Sequence, residues 1–419
     1  MFSKQVAVTR EGWLFSVGGV AYFTGAALNS VLSRKSSALY FEALLLTASL
    51  TVSGVSQALL PFGRRRWLLG GLLFVSRLGA GSIDVSGNSI IAQANHASDS
   101  WMQCLHAFFS IGAFLAPLII AFSLRRAAND IYLGFAIYSV IVLISLALFL
   151  AYALALRSGS RDAPLDAQSA METVVGQEKT VNVATTEMGV GFISGLHRGG
   201  VRRHRWLQFL YHFARICIVL LIFASYAGYE VSLGGWLAVY ARESGRTGES
   251  LARADDIPTL FWAAMMVGRL LAIWVSLHVS ATTILEVCVL TSLMIWLATL
   301  WIPSHVYGMA GGLGLAMSSA YAAQMSVSME LFRDRAHGAV EVATWATIGS
   351  TLGEAILPWS AGVLMNRFGL EWFLYTGIAY TVLWSIFAAA LITLQRVLLL
   401  RQHVSNPAGA RAPQAARTP

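Results

Sequence analysis

The sequence predicts an all-α, polytopic membrane protein built from two sets of helices. Three observations carry this prediction. Of the 419 residues, 56% are hydrophobic and only 12% charged, where a soluble domain carries about a quarter charged; mean hydropathy is +0.63. Apolar runs of roughly 20 residues, the length that crosses about 30 Å of hydrocarbon, recur along the chain. A single long hydrophilic loop, 157–205, leaves five runs before it and six after it.

The spans follow in order. Those of the first set cover 13–33, 38–61, 67–94, 101–124 and 131–156; those of the second cover 207–240, 257–279, 281–302, 305–331, 337–365 and 371–397. The start, MFSKQVAVTREG, leads into an apolar run too long for a signal peptide and without its cleavage site. Several spans contain Gly and Pro, which membrane helices tolerate. The run 207–240 exceeds one crossing, so its basic, aromatic lead RWLQFLYHFAR is expected at the interface, leaving 216–240 to span. The expected domains are an N-terminal bundle (1–156), a cytoplasmic linker (157–205), a C-terminal bundle (206–397) and a disordered tail (398–419). The linker has a disordered composition and ends in HRGGVRRHR, a basic cluster suited to anionic lipid.

The net charge of +8 would suggest nucleic acid in a soluble chain. In a membrane protein Lys and Arg collect in cytoplasmic loops, so no nucleic-acid partner is expected. Cys104, Cys217 and Cys288 lie far apart in apolar segments and form neither a metal spacing nor a disulfide framework. No phosphate loop, metal-ligand cluster or nucleophile–base spacing occurs, so the sequence does not read as an enzyme.

The two sets resemble each other. VGGVAYFTGA in span one matches VGRLLAIWVS in span seven, SIGAFLAPLI in span four matches TIGSTLGEAILP in span ten, and RLGAGS in span three matches GGLGLAMSS in span nine. Each pair is six spans apart although the first set holds five, as in a repeat of six that begins at its second helix. Superposing the glycines places Met317 and Tyr321 where span three has Asp84 and Asn88, and Gly19 where span seven has Arg269.

Charges at mid-membrane cost about 2.5–3.5 kcal/mol each on insertion scales and are functional by default. Asp84, Glu230 and Glu354 are central in spans three, six and ten, with Arg77 and Arg269 as basic counterparts. Two readings of Asp84 stand: a contact to solute or coupling cation, or a structural partner of Arg77, two turns away on the same face, or of another helix. Gly228, Gly234 and Gly235 around Glu230 can let that helix bend or break, exposing carbonyls to a cation. Trp236 suits either a sugar face or an interfacial anchor. His106 reads as a packing residue or a site residue. Tyr321 and Gln324 suit a neutral polyol or interhelical hydrogen bonding, while Gly112, Gly349 and Gly353 read as close-packing positions.

The chain resembles the major facilitator superfamily, and within it the branch of sodium-dependent glucose transporter-like proteins related to fucose permeases. The resemblance rests on GAGSIDVSGN (79–88), LHAFFSIGAFLAPLI (105–119), YAGYEVSLGGWLAVYA (226–241), GRLLAI (268–273) and GEAILP (353–358). It implies a two-bundle fold of about 11 helices (5 + 6), the family's first helix having no counterpart here. The gating motif after the second helix is degraded to LNSVLSRKSS, without an acidic residue. The implied function is secondary transport of a monosaccharide or other small polar solute by alternating access, with Na⁺ or H⁺ as coupling ion and no other cofactor.

In that frame Asp84, Asn88, Glu230, Trp236, Tyr321 and Gln324 are candidates for binding solute or ion. Arg77, His106, Arg269 and Glu354 are candidates for gating or structure, Arg269 through acids or helix C-termini and Glu354 alternatively as a second cation site. In the family's orientation cytoplasmic segments carry more Lys and Arg than exterior ones, although Arg64, Arg65 and Arg66 fall outside. The plasma membrane is the expected location. The competing reading is a membrane sensor or scaffold, or a truncated transporter homologue, that does not transport.

Overall fold

In the computed structural model residues 2–33, 39–63, 65–94, 99–126, 132–161, 198–243, 256–302, 305–335 and 337–405 are described, and none of them forms a strand. The first set comprises α1 (Phe2–Ser33), α2 (Leu39–Leu59, extended by a 3-10 turn Leu60–Phe62), α3 (Arg66–Ala94), α4 (Asp99–Arg126) and α5 (Tyr132–Arg161). The second comprises α6 (Arg198–Glu243), α7 (Asp256–Val275), α8 (Ala281–Trp301), α9 (Val306–Met317), α10 (Ala320–Leu331), α11 (Gly338–Phe368) and α12 (Trp372–Ser405). Seven stretches are long and apolar enough to cross a membrane: Leu39–Phe62, Trp67–Gln93, Tyr132–Arg157, Gln208–Ala241, Ile257–Val275, Ala281–Trp301 and Trp372–Leu400. The linker expected to be disordered falls mostly on 162–197, and the end of the expected tail on 406–419, both outside the described residues. Helix α5 runs past 156 to Arg161, and α12 past 397 to Ser405.

Two spans differ from expectation. The ninth is divided at Ser318–Ser319 into α9 and α10. The Ser318 hydroxyl bonds back to the Leu315 carbonyl at 2.7 Å, and Gly268 of α7 packs directly against the Ser318 side chain. A serine that back-bonds to its own turn weakens the helical ladder there. The sixth span, conversely, is unbroken: α6 is a continuous helix of 46 residues. RWLQFLYHFAR is its continuation, and Gly228 and Gly234 admit neighbours. A Cβ at Gly228 would land on the Gly353 carbonyl, and one at Gly234 would meet the Trp262 ring at 2.7 Å.

The two sets are held together differently. In the first, α1, α2 and α3 meet through small polar side chains. Asn29 Nδ2 donates to Ser82 Oγ (2.8 Å) and Ser86 Oγ (2.7 Å), and Ser49 Oγ donates to Ser82 Oγ (2.6 Å). Gly25 and Gly81 let α1 and α3 touch backbone to backbone, at Leu78 and Tyr22 respectively. Small residues of this kind replace the hydrophobic driving force that lipid removes. The second set has an aromatic interior, with Phe223, Tyr226, Tyr229, Trp296, Phe373 and Trp384 buried in one cluster. Trp296 donates to the Tyr229 hydroxyl at 2.6 Å. There α6 and α11 share a glycine seam, Gly349 under the Leu220 carbonyl and Gly353 under that of Ala224.

Candidate functional site

The sets meet where α4 packs on α7, and α1 and α3 pack on α11. Hydrogen bonds crossing the junction gather toward the end at which α3 and α7 finish and α4 and α8 begin. The Asp99 carboxylate accepts from the Ala281 N–H (3.2 Å), Ser276 Oγ donates to Ser100 Oγ (3.1 Å), and Gln103 Nε2 donates to the Ser319 carbonyl (3.2 Å).

Deeper in, two charged nodes straddle the junction. The first is Arg269 of α7, 2% exposed. Its Nε donates to the Ser318 carbonyl (2.9 Å), an oxygen the break between α9 and α10 leaves without a helical partner. One terminal nitrogen donates across the junction to Ser110 Oγ (2.5 Å), and the other reaches Glu230 Oε1 at 3.3 Å. A buried charge persists only when paired and hydrogen-bonded, and Arg269 and Glu230 meet that condition for each other. Tyr226 donates to the Met317 carbonyl at 2.9 Å and lies within electrostatic range of both Arg269 and Glu230.

The second node is Asp84 of α3. Thr347 of α11 donates to its Oδ2 across the junction at 3.1 Å, and the Tyr22 hydroxyl of α1 bonds to it as well. Asn88 bonds back to the Asp84 carbonyl (2.9 Å) while its Oδ1 is buried without a partner. Of the structural alternatives, the Asp84–Arg77 pair does not form, because two turns separate the side chains by about 10 Å along the axis, and the partner on another helix is Thr347. Arg77 instead is exposed, lies against Gly18 and acts electrostatically on Glu354.

Glu354 of α11 makes neither an ion pair nor a hydrogen bond among the described residues. Its side chain is exposed, and Glu230, Asp84 and Arg77 all lie within its electrostatic range. Tyr321 stands at the centre of this region. Its ring lies 4.6 Å from that of His106 and 4.9 Å from that of Phe223, its hydroxyl is 3.4 Å from Ser350 Oγ, and it feels all three acids. Gln324 is completely buried, accepts from Trp384 Nε1 at 3.3 Å and keeps its own Nε2 without a partner. His106 Nε2 is likewise buried and unpartnered.

Trp236 joins two helices of the second set. Its indole N–H donates to the Pro358 carbonyl at 2.8 Å and its ring covers Gly362, so it clasps α6 to α11 at the proline. The sequence reasoning missed Tyr22, Ser110, Tyr226 and Thr347. Ser110 and Thr347 did carry a signal. They are equivalent in the SIG and TIG repeats, and each holds the junction bond of its own set.

No family model matches the chain. It is 24% identical over 423 residues to sodium-dependent glucose transporter 1 of Homo sapiens, covering 94% of this chain and 74% of that protein. To the Xenopus laevis protein of the same name it is 23% identical over 408 residues, covering 91% and 74%. Among solved structures, the major facilitator superfamily transporter FucP in an outward conformation superposes with a TM-score of 0.63 at 15% identity, covering 91% and 90%. The proton:xylose symporter XylE bound to 6-bromo-6-deoxy-D-glucose superposes with a TM-score of 0.60 at 13% identity, covering 92% and 86%. The chain has the major facilitator fold.

Proposed function

We propose that this chain, a multi-pass membrane protein with the major facilitator fold, is a secondary transporter that moves a monosaccharide by alternating access. One observation carries the reading: three intramembrane carboxylates converge on the junction between the sets, and they are in different states. Glu230 is neutralised by Arg269. Asp84 and Glu354 have no cationic partner in contact among the described residues, belong to opposite sets and lie within electrostatic range of each other. A carboxylate so placed can exchange a proton or bind Na⁺ on one side and release it on the other.

Polar atoms near these acids suit a polyhydroxylated solute: carboxylate oxygens accept from sugar hydroxyls, and Tyr321 Oη can donate to sugar oxygens. The curated relatives are named for sodium and glucose, the fold neighbours for protons and fucose or xylose; this supports a monosaccharide with either ion. Alternating access then requires the Arg269–Ser110 and Thr347–Asp84 bonds to break and reform as the sets rock.

The test is uptake of labelled monosaccharides into proteoliposomes under an imposed Na⁺ or pH gradient. Accumulation above equilibrium is expected with one ion, and Asp84→Asn should abolish accumulation while leaving the protein monodisperse. Absence of flux for every monosaccharide under both gradients would overturn the reading.

A further inference from the structure

Three hydrogen bonds shut the end of the molecule at which α4 and α8 begin, and all three come from the first turn of α4. Asp99, Ser100 and Gln103 fall within about 100° of one another around that helix, and each reaches a different part of the second set. Asp99 takes the Ala281 N–H (3.2 Å), Ser100 Oγ accepts from Ser276 Oγ (3.1 Å), and Gln103 Nε2 donates to the Ser319 carbonyl (3.2 Å). Of the three contacts, only that of Asp99 carries a charge.

Ala281 is the first residue of α8, so its N–H is one of the four that the helix itself leaves unsatisfied. The helix has its own N-cap in Ser280, whose hydroxyl accepts from the Thr283 N–H at 3.3 Å. Asp99 adds a second, anionic cap from the opposite set, at the positive pole of a 21-residue helix. Charge-assisted bonds of this type are the stronger ones. When the sets part, Ser280 stays in place and water takes over both the carboxylate and the Ala281 N–H. The contact can therefore break without unravelling α8.

The other wall of the same end is built differently. The SIG and TIG repeats that align Ser110 with Thr347 also align Gln103 with Val340. Val340 packs with Ala343 of α11 against Ala26 of α1 and Val85 of α3. One wall is thus polar and directional, made or broken as a unit. Its counterpart is apolar and non-directional, and tolerates sliding.

We propose that Asp99 is the catch of this end. With its carboxylate on the α8 N-terminus the end stays shut, and loss of that cap lets α4 swing away from the α7–α8 turn while the apolar wall slides. The catch has a role only if the sets rock as proposed above, and it is the residue that regulates that movement.

The test measures distances, not transport. It uses the full chain in nanodiscs, with Cys104, Cys217 and Cys288 replaced by alanine and nitroxide pairs at exposed positions. Val31→Cys with Leu277→Cys reports this end, and Trp67→Cys with Trp301→Cys the opposite one. Ala281→Pro deletes the donor without touching Asp99. Proline is at home in the first position of a helix, and Ser280, at ψ 150°, already has the extended backbone that a following proline requires. In Ala281→Pro the ratio of closed to open molecules at this end should fall about tenfold, the order expected for one hydrogen bond to a charged group, and the opposite pair should shorten in step. Asp99→Ala should reproduce the shift, and Ser100→Ala, which removes only a neutral bond, should give a smaller one. Unchanged distances in Ala281→Pro would overturn the proposal, as would a shift in Ser100→Ala as large as that in Asp99→Ala. Solute flux is scored separately. Distances that move as expected in a protein without flux leave the catch standing and sink the transport reading; unchanged distances in a protein that accumulates solute do the reverse.

Discussion

The two helical sets solve the same packing problem with different chemistry. The first joins α1, α2 and α3 through serines, Asn29 and glycines, with a small apolar cluster of Ala26 and Val85 against Val340 and Ala343 of α11. The second fills its interior with Trp, Tyr and Phe, and uses glycine along the α6–α11 seam, between α7 and α9, and under the rings of Trp262 and Trp296. Both rely on bare backbone where helices touch, but only the second adds large buried rings. The difference locates robustness. Stability should reside in the second set, while the first is held by many contacts of small individual energy.

Four substitutions test that contrast, in decreasing order of effect. Gly353→Leu drives a side chain into the Ala224 carbonyl. It should abolish folded protein, seen as loss of the monodisperse peak in size-exclusion chromatography; an intact peak would mean the seam is not close-packed. Arg269→Ala leaves Glu230 buried without its partner, a loss of about 4 kcal/mol by the behaviour of broken buried pairs. The melting temperature in detergent should fall sharply and recover in part in the Arg269→Gln, Glu230→Gln double variant. Trp384→Ala removes a fully buried ring and the donor to Gln324, for about 3 kcal/mol. Ser82→Ala, by contrast, removes a hydroxyl that accepts from both Asn29 and Ser49, yet should cost only about 0.6 kcal/mol, the mean for an interhelical hydrogen bond in a membrane. If Ser82→Ala proves as damaging as Trp384→Ala, the proposed division of stability between the sets is wrong.

The spans were legible because length and apolarity are local properties. The helices lie where the apolar runs lie, and the long linker falls between α5 and α6. The break at Ser318–Ser319 was not legible, since GGLGLAMSS reads as an ordinary Gly-rich membrane segment until Gly268 and Arg269 of another helix are placed against it. The partners of the buried charges were hidden for the same reason. Arg269 and Ser110 are 159 positions apart, and Asp84 and Thr347 are 263 apart. Arg77, the obvious neighbour of Asp84, lies too far along the same helix. The contacts of the glycines around Glu230 were hidden too, because glycine in lipid serves close approach as well as bending, and only the facing Gly353 and Trp262 show the neighbours admitted here.

The glycine seam between α6 and α11 has a mechanical consequence. With no side chains between their backbones at Gly228, Gly349 and Gly353, the two helices form a single stiff beam. The beam carries Glu230 on one flange and Thr347 on the other, so both bridges to the first set, Arg269–Ser110 and Thr347–Asp84, are bolted to it. Twisting one bridge loose loads the other, and the pair should let go together, in the manner of a double latch worked by one bar.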